Sequence, residues 1–210
     1  MQKKFLLLLI SGVFLLGSCR KDPDLSQLST NFVVTSNTDE TVSFSSYKTY
    51  FISDTVAAYV STNPKDSIIT DSVAAQLVAA VKQNMSARGY TFVPLSSHPD
   101  LGITMGVAKN VNATTVYPGW WDGWAGWVDP WYWGWYYPYY YPWSVTYVIT
   151  TGSVVIDMID LKNAVANQTE RVIWSSLSGG ALGTNGNSNL QRGVNAINQA
   201  FKQSPLVKAN

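Results

Sequence analysis

Residues 101–108, LGITMGVA, alternate without a break: Leu101, Ile103, Met105 and Val107 fall on one side, Gly102, Thr104, Gly106 and Ala108 on the other. Successive side chains of a strand point to opposite faces. The segment therefore predicts a strand over residues 101–109 with one apolar face and a reverse face of very small residues, on which a helix or an aromatic segment can pack close to the backbone.

Two helices supply the apolar stripes such a sheet needs. Over residues 68–88, Ile69, Val73, Leu77, Val81 and Met85 recur every four, Ala74 and Val78 widen the stripe, Ser67 or Thr70 can cap the start, and Gly89 supplies a left-handed stop. Over residues 188–204, Leu190, Val194, Ile197 and Phe201 share a face, and Pro205 ends the run. Further strands are predicted at 31–35, 42–52, 91–95, 145–151, 153–161 and 171–177. The apolar phase shifts at Gly152, which implies a bend there. DLKNAVANQTE turns the chain between the last two strands as an antiparallel hairpin. The expectation is an α+β domain: an antiparallel-dominated sheet of about six strands, two amphipathic helices on one face, and an aromatic-rich insertion loop.

The chain opens MQKKFLLLLISGVFLLGSCRKD, with two lysines, a twelve-residue apolar run from Phe5 to Leu16, and small residues before Cys19. That run is too short for a stable membrane span and has the layout of an export signal. Leu16-Gly17-Ser18-Cys19 resembles the lipobox of bacterial lipoproteins, in which the cysteine is acylated, by palmitate among other chains, and becomes the mature first residue. Cys19 is the sole cysteine, so lipidation also removes a thiol that an oxidising compartment would attack. The expected organisation is a signal peptide at 1–18, a lipid-anchored linker at 19–30 and one domain at 31–205 with an insertion at 117–143, placed in the cell envelope as an outer-membrane lipoprotein. Cys-Arg-Lys-Asp-Pro-Asp at the start of the linker is similar to the basic-then-acidic tag of some surface-facing Gram-negative lipoproteins, and equally suits a solvated tether. Cleavage removes two of the fourteen basic residues and leaves acidic residues in excess by one. Nothing points to nucleic acid.

Residues 118–143, PGWWDGWAGWVDPWYWGWYYPYYYPW, hold fourteen aromatic rings and two charges, Asp122 and Asp129. Pro118, Pro130, Pro138 and Pro142 rule out a regular helix. Open backbone cannot enter hydrocarbon, so a membrane role reduces to shallow interfacial contact. Three other roles stand beside it: stacking on sugar rings, docking onto another envelope protein, and folding back onto the small-residue strand. The candidate contact surface comprises Trp120, Trp121, Trp124, Trp127, Trp131, Trp133, Trp135, Tyr139, Tyr140 and Trp143.

Catalytic chemistry is not advertised. His98, the only histidine, sits in the turn sequence SSHPD, and one histidine with a lipidated cysteine cannot assemble a histidine-based zinc site. Asp157 and Asp160 are three apart on a strand, so they point to opposite faces, and Asp160 suits the start of a turn. GGALGTNGNSN lacks the lysine of a phosphate-binding loop and reads as a mobile linker. Asp54-Thr55-Val56, Asp66-Ser67-Ile68 and Asp71-Ser72-Val73 resemble a bacterial O-glycosylation signal and also fit local capping. No cofactor, metal or catalytic residue is implied, and no enzyme is expected. A structural or adaptor role, with the aromatic loop meeting an envelope protein, is the leading reading; a cell-surface glycan-binding module is the alternative.

FSSYKTY at 44–50, PDLGI at 99–103, GSVVIDMID at 152–160, VIW at 172–174 and the closing helix before Pro205 together resemble the bacterial envelope lipoproteins of domain-of-unknown-function family 4136. The resemblance covers nearly the whole mature chain. It implies an exported α+β domain with a Gly/Trp/Tyr-rich insertion at this position, and it implies no activity.

Overall fold

A computed structural model of the chain describes residues 32–60, 68–69, 72–109, 114–116, 137–144, 147–150, 152–182 and 186–209. In chain order its elements are β1 (Val33–Thr38), β2 (Thr49–Ile52), β3 (Val56–Val60), β4 (Ile68–Ile69), α1 (Ser72–Ala87), β5 (Thr91–Phe92), β6 (Leu101–Lys109), β7 (Thr114–Val116), β8 (Tyr139–Tyr140), β9 (Tyr147–Ile149), β10 (Val154–Asp160), α2 (Ala164–Asn167), β11 (Glu170–Gly179) and α3 (Gly186–Lys202). The main sheet runs β1-β11-β10-β6-β2-β5; β3 also pairs with β6, β4 with β3 and β8 with β11, while β7 and β9 form a separate ribbon.

The sheet is mixed, which corrects the expectation of an antiparallel-dominated one. β10 is antiparallel to both β6 and β11, and β1 to β11. However, β2 and β3 both run parallel to β6, β5 runs parallel to β2, and β8 runs parallel to β11. The cause is the connection: α1 lies between β3 and β6, and a crossover of that length returns the chain in the same direction, which a hairpin cannot do. β2 and β3 flank an interruption at Ser53–Thr55, so that Ile52 pairs Ile103 and Ala57 pairs Gly106. Two more residues lie between the pairs on this side than on β6, which is a bulge.

The alternation of β6 sorts the molecule into two sides. Leu101, Ile103, Met105 and Val107 join Val154, Ile156 and Met158 of β10 and Ile173 and Trp174 of β11 in one core with α1 and α3. α1 contributes Ala74, Leu77, Val78, Val81 and Met85, and α3 contributes Ala196, Ile197, Ala200 and Phe201. Ile159, Leu161 and Val172 form a smaller cluster on the opposite face. Adjacent residues of β11 can serve one core because the β10–β11 register shifts at Met158/Ile159.

α1 begins at Ser72 rather than 68, because Ile68 and Ile69 pair as a strand with Ala57 and Val56; the capping candidates Ser67 and Thr70 lie outside the described residues. Its end matches the glycine stop: Gly89 has φ +84°, and the Tyr90 amide donates to Met85 O at 3.1 Å. The strand expected over 42–52 begins only at Thr49, since Phe44–Ser46 make a turn of 3-10 helix that buries Phe44. α2 occupies the turn predicted between β10 and β11.

Gly152 is a bend, with φ +84°. Its amide donates to Ala108 O at 2.7 Å, and its carbonyl accepts from the Leu182 amide at 2.8 Å. A Cβ built there would stand 1.7 Å from Leu182 O, so only glycine fits. The described part of the glycine-rich linker is fixed rather than free: besides Leu182, Gly180 O accepts from Arg192 Nη2 at 2.8 Å.

At the other end of α3, Ser204 is a joint between layers. Its Oγ accepts from Trp174 Nε1 at 2.8 Å, donates to Ala200 O at 2.9 Å and lies 3.2 Å from Ser36 Oγ of β1. The Trp174 ring packs on Phe201 with centroids 4.9 Å apart.

Candidate functional site

The small-residue face of β6 is buried at Gly102, Gly106 and Ala108, and strand pairing continues it across the sheet. Thr104, Asp157, Ser175 and Asn37 stand in one register row over β6, β10, β11 and β1. Asp157 is 1% exposed and its Oδ2 accepts from the Tyr141 hydroxyl at 3.0 Å. A buried carboxylate in the middle of a sheet needs such donors.

Tyr141 belongs to the end of the aromatic segment, and its neighbours are fastened as well. β8 pairs in parallel with Glu170 and Arg171, and the Glu170 amide donates to Pro138 O at 3.0 Å. Tyr139, Tyr141 and Trp143 pack on Ile159, Leu161 and Val172 beside Phe51 and Leu95. The Tyr141 and Trp143 rings meet edge-on, with centroids 6.1 Å apart and planes at 77°.

Tyr140 turns the other way and is 50% exposed. The Arg171 guanidinium lies 5.7 Å from its ring centroid. Arg171 is itself held: Nε donates to Asp39 Oδ2 at 2.6 Å and Nη2 to Thr41 Oγ1 at 3.0 Å. Asp39 accepts in addition from the Thr41 amide at 3.0 Å and the Thr41 hydroxyl at 2.6 Å. Thus one aromatic ring faces solvent with an ordered charged and hydroxyl-bearing edge beside it.

Of the sequence-derived contact residues, Tyr139, Tyr140 and Trp143 come together here. Trp120, Trp121, Trp124, Trp127, Trp131, Trp133 and Trp135, like Cys19, lie outside the described residues. Tyr141 and Asp157 are the pair that sequence reasoning missed as partners. An aspartate flanked by Ile156 and Met158 in a buried strand was the available signal, because such a group demands a polar partner.

The remaining polar candidates are occupied locally. Asp160 Oδ1 accepts from the Asn163 amide at 3.0 Å and Oδ2 from Asn163 Nδ2 at 2.7 Å, a turn-starting arrangement. Burial, with the Asp160 carboxylate next, pushes the Tyr47 hydroxyl well above the ordinary tyrosine range. Burial also raises Tyr50 to about 12 and lifts Tyr90 further, and it lowers Arg88. His98 is exposed in a turn with φ +51°. Among the described residues, no group of three or more His, Cys, Asp and Glu could hold a metal ion, and no helix is long and apolar enough to cross a membrane.

The family model of a domain of unknown function, DUF4136, matches residues 34–206. The crystal structure of a DUF4136 family protein from Bacteroides thetaiotaomicron VPI-5482 is similar to this chain at 27% identity and a TM-score of 0.73, covering 87% of this chain and 100% of that one. The PelC dodecamer from Paraburkholderia phytofirmans is matched at 13% identity and a TM-score of 0.40, over 85% of this chain and 99% of that one. A PDZ domain protein from Parabacteroides distasonis is matched at 14% identity and a TM-score of 0.41, over 82% of this chain and 35% of that one. No curated protein matches the chain.

Proposed function

The chain belongs to the DUF4136 family, and from that premise we propose that it is a non-catalytic adaptor of the cell envelope, exported, acylated at Cys19, held at the outer membrane by that lipid, and meeting a neighbouring envelope protein through its aromatic segment. The observation that carries this reading is the division of labour at residues 139–143. Tyr139, Tyr141 and Trp143 are fastened to the back of the sheet while Tyr140 is left half in water. A ring held rigidly by its neighbours offers contact area at small entropic cost. The fastening also supports the self-packing role for this end of the segment, so that anchoring and presentation are two uses of one stretch.

Non-catalysis is supported by the occupancy of the polar groups. Asp157 and Asp160 serve Tyr141 and Asn163 on opposite faces, and His98 stands alone on a turn. A glycan-binding module is the second reading, favoured by the Arg171 guanidinium beside the Tyr140 ring and the Thr41 hydroxyl bonded to that guanidinium, since sugar sites combine a flat ring with a few directed polar groups.

The test is a variant in which Tyr140 becomes Ala and Trp120, Trp121, Trp124, Trp127, Trp131, Trp133 and Trp135 become Ser, leaving 137–139 and 141–143 to hold the sheet. Envelope cross-linking and polysaccharide retention are compared with the wild type. A partner protein lost from the variant supports the adaptor; unchanged protein partners with lost polysaccharide retention replace it by the glycan reading. Mass spectrometry of the mature terminus tests the anchor independently, and a free amino-terminal residue other than acylated Cys19 would refute it.

A further inference from the structure

We propose that β1 is a self-association edge, through which two copies of this chain pair their β1 strands antiparallel about a two-fold axis at Ser36 and join their sheets into one. β1 holds an unbroken register with β11 from Val33↔Gly179 to Thr38↔Trp174, and among the described residues no strand pairs its other side. Its sequence, VVTSNT, has no charge and no proline, the devices that ordinarily keep an exposed edge from pairing. The opposite margin of the sheet carries those devices: β5 has two residues, and Lys82, ion-paired to Asp54 at 2.7 Å, lies 4.5 Å over the Phe92 ring.

The phase of the ladder says which groups face outward. The Asp39 amide donates to Ile173 O at 2.9 Å, so the odd-numbered residues of β1 bond β11 and Val34, Ser36 and Thr38 turn their backbone groups away from it. The side chain that stands there is Gln203, whose Nε2 is 3.4 Å from Val34 O and 3.0 Å from Ser36 Oγ. One long amide contact occupies a place where an incoming strand makes several bonds.

A second copy fits this edge because the edge complements itself. With the axis at Ser36, Val34 faces Thr38, Thr35 faces Asn37 and Val33 faces Asp39, so no like charges oppose one another. The helix flank agrees: the groove between β1 and α3 is lined by Val33 and Val34 on one side and Asn198, Gln199, Lys202 and Gln203 on the other. Amides donate and accept, so such a face can answer a copy of itself, as Asn84 Nδ2 already answers Asn198 Oδ1 at 2.7 Å between α1 and α3. A single cation, Lys202, specifies little for an oppositely charged partner.

The experiment places Ser36→Cys in the full chain and treats intact envelopes with a short bis-maleimide. A covalent species of twice the chain mass is expected, absent from the wild type, whose one cysteine is Cys19, and from Ser86→Cys on the exposed side of α1. In detergent, light scattering should give a dimer for the wild type. Ser36→Pro, which removes an outward amide and no β11 bond, should weaken that dimer at least tenfold with an unchanged circular dichroism spectrum. A Ser36→Cys chain that yields no more dimer than Ser86→Cys, or that links only to its own Cys19 or to a different protein, overturns the proposal.

Discussion

Ser204→Ala tests whether the joint between α3, β11 and β1 holds these layers together. Trp174 is fully buried, and its indole N–H has Ser204 Oγ as its acceptor at 2.8 Å. Removing that oxygen leaves a buried donor unpaired, at a cost of about 1–3 kcal/mol, and also ends the 3.2 Å contact with Ser36. Trp174→Phe removes the donor together with the larger ring; a hydrogen bond worth about 1 kcal/mol and the lost packing place it at about 2–3 kcal/mol. In the double variant no indole remains to be stranded. It should therefore cost about 1 kcal/mol less than the sum of the two single changes. Urea denaturation followed by far-ultraviolet circular dichroism reads all four corners of the cycle, and thermal midpoints should move by about 2–4 °C per kcal/mol for a domain of this size. Strict additivity, or a Ser204→Ala chain within about 0.5 kcal/mol of the wild type, would show that the hydroxyl is incidental.

Gly152→Ala should lose about 3 kcal/mol or more, from a left-handed backbone and a Cβ 1.7 Å from Leu182 O, and appear as low soluble yield and a depressed melting temperature. Gly179→Ala, whose Cβ would meet only Val33 O at 3.9 Å, serves as the tolerated control. Tyr141→Phe withdraws the hydroxyl from Asp157 and should cost about 1–2 kcal/mol while raising protease cleavage within 137–144, mapped by mass spectrometry. Above about pH 10 stability should fall, because unfolded tyrosines ionise there while buried Tyr47, Tyr50 and Tyr90 keep their protons, Tyr50 until about 12. Denaturant midpoints measured beside the phenolate absorbance check this, and a midpoint that rises between those pH values would contradict it.

Local periodicity was a sound guide wherever a segment buries one continuous face. β6 spans Leu101–Lys109 as its alternation implies, and α1 stops at the glycine that its stripe runs into. The β10–β11 hairpin was legible because its two strands are close in sequence, and the bend at Gly152 because the apolar phase breaks there. What failed depends on distant pairing. VAAYV carries no clear alternation, yet it is a strand because β6 lies beside it after the α1 crossover. Phe44 and Tyr47 resembled strand residues and instead enter the core from a turn. At the candidate site the tyrosines were visible as a class. Which of them anchors and which is exposed follows from β8 lying on β11, a register no pattern within residues 137–143 encodes.

The topology also sets the order in which this chain can finish folding. Thr35 in β1 hydrogen-bonds Leu177 in β11 across a separation of 142 residues. Synthesis, which runs amino terminus first, thus delivers β1 long before its mate exists. Closing so large a loop is slow, and α1 with its parallel neighbours must also await β6. Until β11 is available the edge groups of β1 are unsatisfied, and the unfinished chain is open to wrong pairing.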